Sequence, residues 1–312
     1  MQKPVKIMEL VLLAILVVLG VVMISDIRQI NLADGPEAIV REIHLAVLVD
    51  ESTPEPFNRG IVEAAREHML VAELLTVSED NVAEVFKQVE LTGVDGVIIR
   101  LNNHTILNEE IESLKEAGMV VVLIGNDAPE STRDVYIGTN GYQQGKAMGE
   151  MVMDVLGGEG RIALLLGSEM AEEQSASRIN FVSGIYETLN QPESGVHIAG
   201  EFSTTARRAE LITDDLLSND IRIGALICTD SVDVHRAIRV LVDRNAVGRV
   251  AVLARGTEEE MANYLQQEMV YGLIVEDHYA IAQIAIESIE LMISGFWISS
   301  YVNVPFDVIT NW

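Results

Sequence analysis

Short apolar runs recur along the chain from Ile43 onward, and each is followed by a segment in which apolar residues stand three or four positions apart. The runs are continuous rather than alternating, which is typical of parallel strands covered on both faces. Strands are predicted at residues 44–49, 71–77, 94–99, 119–124, 161–166, 196–202, 225–228, 250–253, 272–276 and near 301–309. Helices are predicted at residues 59–69, 81–92, 108–117, 145–156, 177–189, 207–217, 232–244 and 280–293. For 312 residues, this series favours an α/β fold with two doubly wound parallel-sheet lobes.

A nearly unbroken apolar stretch precedes the series at residues 7–24. As a helix it spans roughly 27 Å, enough to cross the hydrocarbon core of a membrane. Lys3 and Lys6 precede it and no comparable basic cluster follows soon after, which places the N-terminus in the cytoplasm and the body outside the membrane. An uncleaved signal anchor is favoured over a cleaved secretion signal, because small residues at the cleavage positions are lacking. We therefore expect a cytoplasmic tip and one transmembrane helix within residues 1–25, and a linker at 26–42.

Composition limits the classes of partner. With 21 Lys and Arg against 48 Asp and Glu, the formal net charge is −27, which repels nucleic acid and anionic lipid. No nucleic-acid partner is expected. Aromatic residues make up only 5 % of the chain, so few rings are available to stack on a ligand. The single cysteine, Cys228, excludes an intramolecular disulfide, and its place inside an apolar run indicates a buried core thiol.

Several short motifs follow one another in a fixed order along the body, and each is weak alone. They are Gly-Ile-Val-Glu-Ala-Ala at 60–65, Gly-Val-Asp-Gly-Val-Ile-Ile at 93–99, Ala-Gly-Met-Val-Val-Val at 117–122, Asp-Ala-Pro at 127–129, Tyr-Ile-Gly-Thr-Asn at 136–140, Gly145, Arg178, Thr229 with Asp230, and Val304 with Pro305. With these motifs the body, from Ile43 to Trp312, resembles the type I periplasmic solute-binding proteins, in particular their ribose and galactose group.

The resemblance implies a definite domain organisation. In that family the chain crosses between the lobes three times, which here falls near residues 139–141, 276–277 and 307. The N-terminal lobe is then expected at 43–140 plus 277–306, and the C-terminal lobe at 141–276 plus 307–312. The family binds its ligand in the cleft between the lobes and traps it by hinge closure.

Candidate ligand contacts come from the carboxyl ends of the strands, where open α/β sheets bind their ligands. To these we add Phe57, the only ring of the first loop, and Arg178, which resembles the family arginine that binds ligand oxygens. A cap or solvated loop residue is the alternative role for any one of them, since Ser, Asp and Asn after strands often cap helices. The predicted ligand-binding residues are Asp50, Glu51, Phe57, Asn102, Asn126, Asp127, Arg178, Thr229, Asp230, Arg255 and Glu276.

The sequence also departs from the family pattern. Gly125 and Arg255 stand where the family usually has ligand-binding aspartates, Glu276 replaces an amide, and Thr204 takes an aromatic position. Stacking on both faces of a sugar ring is therefore not expected. Arg255 opposite Glu276 could bind a charged or zwitterionic ligand, or the two could pair with each other across a degenerate cleft.

Two functions from different classes remain. In the first, the protein is a membrane-tethered, extracytoplasmic receptor for a small polar solute such as a carbohydrate, with an ABC permease or a membrane sensor kinase as partner. In the second, the fold has lost ligand binding and acts as a protein-interaction module. No enzyme activity is expected, because the six histidines show no HxxxH or HxxE spacing and no nucleotide or nucleophile motif follows a strand. His278 beside Asp277 is the one acid-base candidate, and a cap or surface pair is the favoured role for it. No metal and no cofactor are expected either.

Overall fold

The computed structural model describes residues 42–78, 80–101, 107–192, 194–205, 207–219 and 222–310. The membrane anchor predicted within residues 1–25 lies outside these ranges, as does the predicted linker apart from Glu42. Within them, no helix is both long enough and apolar enough to cross a membrane.

The first lobe, called the N lobe, is built on a six-stranded, fully parallel sheet in the order β11-β5-β4-β3-β1-β2. Its strands are β1 (His44–Val49), β2 (Val71–Thr76), β3 (Gly96–Arg100), β4 (Val120–Ile124), β5 (Val135–Gly138) and β11 (Tyr301–Asn303). Its helices are α1 (Glu55–Glu67), α2 (Val82–Thr92), α3 (Asn108–Glu116) and α9 (His278–Ile293). Helices α1 and α9 cover one face of the sheet, and α2 and α3 cover the other.

The second lobe, called the C lobe, repeats this plan in the order β12-β10-β9-β8-β6-β7, with only β12 antiparallel. Its strands are β6 (Glu159–Leu166), β7 (Gly195–Ser203), β8 (Ala225–Cys228), β9 (Ala251–Gly256), β10 (Gly272–Glu276) and β12 (Phe306–Thr310). Its helices are α4 (Gly141–Leu156), α5 (Ala176–Leu189), α6 (Ala209–Ser218), α7 (Ser231–Asp243) and α8 (Glu258–Gln266). Helices α4 and α5 cover one face, and α6, α7 and α8 the other.

Each central strand contributes side chains to two cores, which explains the continuous apolar runs. In β1, Leu45 and Val47 are buried beneath α1 and α9, whereas Ala46 and Leu48 are buried on the opposite face. A strand that is covered on both faces cannot alternate with polar residues. The predicted α/β class with two parallel-sheet lobes is confirmed.

The chain passes between the two sheets after β5, after β10 and after β11. The terminal strand predicted near residues 301–309 is in fact two strands, one in each sheet. Val304 donates its backbone N–H to the Gly138 carbonyl, 3.0 Å away, and Pro305 has no N–H to continue a ladder. The third passage therefore lies at these two residues.

Candidate functional site

The carboxyl ends of strands from both sheets line a cleft that contains two adjoining cavities. Their volumes are about 330 Å³ and 370 Å³. We call the first the hinge cavity, since it reaches Thr139 and Asn140 at the passage after β5, and the second the outer cavity, since it reaches the loop after β1. Both are lined by seven shared residues: Arg100, Ile124, Gly125, Glu169, Arg255, Glu276 and His278.

An ion cluster forms the centre of the cleft. Arg255, the penultimate residue of strand β9, is only 8 % exposed. Its guanidinium lies 3.0 Å from Glu169 Oε2 and 2.9 Å from Glu276 Oε1. The same Glu276 oxygen accepts hydrogen bonds from Thr139 Oγ1 and Gln144 Nε2, both at 2.7 Å. Arg255 and Glu276 are thus paired with each other, as one of the two sequence interpretations held.

The charges of the cluster stabilise one another. Burial alone would lower the pKa of Arg255, but Glu169 and Glu276 outweigh it and hold that pKa above its usual value. Burial alone would likewise raise the pKa of Glu276, yet Arg255 first and His278 second keep it well below its usual range. Both groups are therefore charged at neutral pH.

Arg255 retains unused hydrogen-bond donors. Its Nε and Nη1 atoms are buried, yet neither donates a hydrogen bond to an acceptor in the described part of the chain. Nη1 does lie 3.0 Å from Glu169 Oε2, a distance that gives electrostatic attraction without hydrogen-bond alignment. A buried N–H without an acceptor is costly, so these donors are suited to an oxygen in the cavity.

Arg100 is a second cation of the site, and sequence analysis missed it. It ends β3 and donates from Nη1 to Thr53 Oγ1 at 3.3 Å. Its pKa is lowered, because burial has the largest effect and outweighs the nearby carboxylates, which raise the pKa. The sequence signal that could have identified it is a charged residue directly after the apolar residues 97–99, at the strand end that faces the cleft.

Phe57, a predicted contact, does not reach the cleft. It lies 5.5 Å from the Arg100 guanidinium, measured to the ring centre, but it is fully buried and lines neither cavity.

Seven of the predicted residues line the cavities: Glu51, Asn126, Asp127, Thr229, Asp230, Arg255 and Glu276. Some also have structural roles. Asp230 caps α7 by accepting from the Val232 N–H at 2.8 Å. Asn126, in the N lobe, accepts a hydrogen bond from Ser177 Oγ of the C lobe, so this pair joins the two sides of the cleft.

Other predicted residues point elsewhere. Asp50 accepts from the Ser52 N–H at 3.0 Å, and Arg178 forms an ion pair of 2.8 Å with Glu201. Neither lines a cavity. Asn102 lies outside the described residues. Thr204, at the expected aromatic position, is buried and bonds to Asp233 rather than facing the cleft.

Aromatic side chains are confined to one of the two cavities. Tyr136, Tyr142 and Tyr301 line the hinge cavity, whereas no ring from the described residues except the imidazole of His278 lines the outer one. Burial lowers the pKa of His278, which keeps its imidazole neutral near pH 7. In the described ranges, no three His, Cys, Asp or Glu side chains are grouped to hold a metal ion.

A family model described as periplasmic binding protein domain matches residues 48–295. No curated protein sequence matches the chain. Among solved structures, GanP, a glucose-galactose binding protein from Geobacillus stearothermophilus, is similar with a TM-score of 0.78 at 20 % identity, covering 87 % of this chain and 98 % of that one.

Two further structures show the same degree of similarity. An ABC transporter periplasmic solute binding protein from Actinobacillus succinogenes 130z, with bound D-allose, has a TM-score of 0.76 at 17 % identity, covering 86 % of this chain and 98 % of that one. A structure described as the XylFII-LytSN complex has a TM-score of 0.76 at 23 % identity with the same coverage. At these identities the likeness shows a shared fold.

Proposed function

Since this chain belongs to the periplasmic binding protein family, we propose that its cleft binds a small, uncharged, polyhydroxylated ligand of the monosaccharide class. The observation that carries this proposal is the buried Arg255, which has unused donors and lies between two carboxylates. A hydroxyl group both accepts and donates. Its oxygen can accept from Arg255 while its proton is donated to Glu169 or Glu276.

The charge balance of the cluster supports an uncharged ligand. Arg100 and Arg255 are matched by Glu169 and Glu276, so the four side chains sum to zero. The other charged residues that line the two cavities are carboxylates: Glu51, Glu55, Asp127, Asp230 and Glu260. An anionic ligand would therefore remain without a counter-charge in this cleft, which is costly. The cavity volumes of about 330 and 370 Å³ suit a molecule of one sugar ring.

Binding is coupled to closure of the lobes. Arg100 belongs to the N lobe, whereas Glu169 and Arg255 belong to the C lobe, so a ligand between them contacts both sides. A ligand that makes more contacts in the closed form shifts the equilibrium towards it. The chain passages after β5 and β10 lie beside Thr139 and Glu276, within the same hydrogen-bond network.

The body acts outside the cytoplasm and is tethered by the apolar stretch at residues 7–24. Its protein partner is either an ABC-type permease or a membrane sensor. The XylFII-LytSN structure supports a protein partner in general, because there a chain of this fold is part of a complex.

The second candidate is a protein-interaction module without a small ligand. Two observations favour it: Arg255 is paired with both carboxylates inside the chain, and the hydrogen bond between Ser177 and Asn126 joins the lobes. An arginine whose charge is already compensated inside the chain needs no ligand to balance it.

Thermal unfolding of the full chain with D-glucose, D-galactose and D-allose distinguishes the two functions. The matched variants are Glu169→Gln, within the cluster, and Glu173→Gln, an exposed residue that lines neither cavity. We expect at least one sugar to raise the melting temperature of the wild type and of Glu173→Gln, and to raise that of Glu169→Gln less. No increase with any sugar would favour the interaction module, and an equal increase in all three proteins would remove Glu169 from the site.

A further inference from the structure

The most exposed large apolar side chains of the described residues lie at one end of the N lobe. Trp297 is 89 %, Met69 80 %, Leu91 77 % and Phe296 65 % exposed. No other large apolar side chain in the described ranges exceeds 51 %. We call this end, where the strands of the sheet begin and helices α1, α2 and α9 finish, the distal end. It lies opposite the ligand cleft.

The helix ends that carry these side chains are held together. His68, which caps the end of α1, lies 2.5 Å from Glu290 in the last turn of α9. Asp95, which follows α2, accepts from the His44 N–H at the start of β1 at 2.9 Å. The helix ends next to these side chains are therefore fixed. Phe296 donates its backbone N–H to the Leu291 carbonyl at 2.9 Å, and Trp297 follows it in a segment without regular secondary structure.

The C lobe provides an internal comparison. Met69 ends α1 in the left-handed backbone region, with φ of 56°. In the C lobe the same backbone conformation follows two helices, at Asn245 after α7 and Glu268 after α8, with φ of 51° and 56°. Asparagine and glycine are the residues that favour this conformation. Glu268 and Met69 both depart from this preference, and of the three residues only Met69 carries an exposed apolar side chain.

The chain enters the described body at this same end. Ile43 directly precedes β1, and its carbonyl accepts from the Val71 N–H at 2.9 Å. Forty-one residues come before Glu42, and they include the apolar stretch at 7–24. We infer that the distal end of the N lobe rests on the lipid bilayer, with Trp297, Phe296, Met69 and Leu91 in the headgroup region. This inference rests on the tether proposed above.

A bilayer fits the surface better than a protein does. The four side chains come from three helix ends on both faces of the sheet, so they project separately. A fluid interface can accommodate separate projections, whereas a protein partner needs one closely matched surface. Tryptophan is also enriched at the membrane interface. The net charge of the whole chain, −27, opposes attraction to anionic lipid, so we expect the contact to be apolar.

Tryptophan fluorescence tests the inference, since the chain has only two tryptophans. The variant Trp312→Phe leaves Trp297 alone, and Trp297→Phe leaves only Trp312, which follows β12 in the other lobe's sheet. The full chain is reconstituted into phosphatidylcholine vesicles with plain or brominated acyl chains. We expect the brominated lipid to quench Trp297 strongly and Trp312 much less.

The results distinguish contact of the distal end with the bilayer from membrane attachment through residues 7–24 alone. If the chain sediments with the vesicles but Trp297 is not quenched, the distal end does not touch the bilayer, although the tether stands. If the chain does not sediment with vesicles, both proposals fail. A blue shift of Trp297 that grows with protein concentration in detergent without vesicles would instead assign the surface to a second copy of the chain.

Discussion

Glu276 joins the hinge to the ligand cleft through a single oxygen atom. Its Oε1 accepts from Thr139, Gln144 and Arg255 at 2.7, 2.7 and 2.9 Å. A carboxylate held by three donors is positioned rigidly, and its charge is compensated only while Arg255 stays beside it. Loss of Arg255 would leave Glu276 buried without its main partner, whereas loss of Glu276 would leave Arg255 paired with Glu169 alone.

Glu276→Gln should change how stability depends on pH. The folded-state pKa of Glu276 is depressed, so its contribution is present above the unfolded value of about 4.3 and is lost as pH falls below it. We expect the variant to unfold at lower urea concentration at pH 7, with the gap narrowing between about pH 5 and pH 3. Glu173→Gln serves as the control and should follow the wild type. A constant gap across this range would contradict the ionic role.

Arg178→Ala should leave sugar affinity unchanged. The guanidinium bonds to Glu201 at 2.8 Å and to the Ala171 carbonyl, and it lines neither cavity. Calorimetric titration of wild type and variant with the same sugar measures this directly. A clear loss of affinity in a folded variant would place Arg178 in the site.

Part of the candidate site could be predicted from the sequence. The rule that strand ends form the site selected Arg255, Glu276, Thr229 and Asp230, because it depends only on where strands stop. The resemblance that added Arg178 could not tell that its guanidinium would bond to Glu201, since side-chain partners depend on tertiary packing. Arg100 was missed because the predicted strand ends at residue 99 and the first predicted contact after it is Asn102.

At the scale of elements, helices α4 and α5 pack with their backbones in contact. A Cβ added at Gly145 would lie 2.0 Å from the Phe181 carbonyl oxygen, and one at Gly184 would lie 2.2 Å from the Tyr142 oxygen. No side chain fits there without separation of the helices. This close packing holds α4, which carries Gln144, beside the cleft.

Gly145→Ala should therefore destabilise the C lobe, by about 1–3 kcal/mol or more, as overpacking usually does. The control is Gly141→Ala at the start of the same helix, where a Cβ would meet Asn180 at an ordinary 3.5 Å. We expect the control to be close to wild type in urea unfolding. Equal stability of both variants would show that the helices can separate at little cost.

Helix α8 and strand β5 were not predicted from the sequence, and each omission has a physical reason. Helix α8 begins with three glutamates and buries only Met261 and Leu265, so its apolar period is too weak to detect. Strand β5 has only four residues, and it pairs with β11, the three-residue strand that ends before Pro305. The strands that were predicted are those with continuous apolar runs, because burial on both faces leaves an unmistakable pattern.

At the scale of the whole molecule, sugar binding should bring the lobes together. Glu55 of α1 and Glu260 of α8 are exposed on opposite sides of the outer cavity, so cysteines placed there can carry spin labels. The native Cys228 is buried and burial raises its thiol pKa, so it should not react with the label. We expect the distance between labels to shorten when a binding sugar is added. An unchanged distance under saturating sugar would contradict hinge closure.

The two-lobed architecture was predictable because it follows from the number and order of strand and helix patterns. The space that the central ion pairs leave for a ligand was not predictable, because it depends on side-chain positions across two lobes. The apolar distal end was not predictable either, since Met69 and Trp297 are separated by more than two hundred residues in the sequence.

Selection of an uncharged sugar by the cleft is tested by calorimetric titration of the full chain with two ligands. One is whichever of D-glucose, D-galactose and D-allose raises the melting temperature most, and the other is the uronic acid of that sugar. The two molecules have nearly the same shape, so the comparison isolates one negative charge in a cleft that holds Glu169 and Glu276. We expect the sugar to bind and the acid to bind at least about tenfold more weakly, a difference of about 1.4 kcal/mol. Equal or tighter binding of the acid, or no heat of binding for either molecule, would contradict selection of an uncharged sugar.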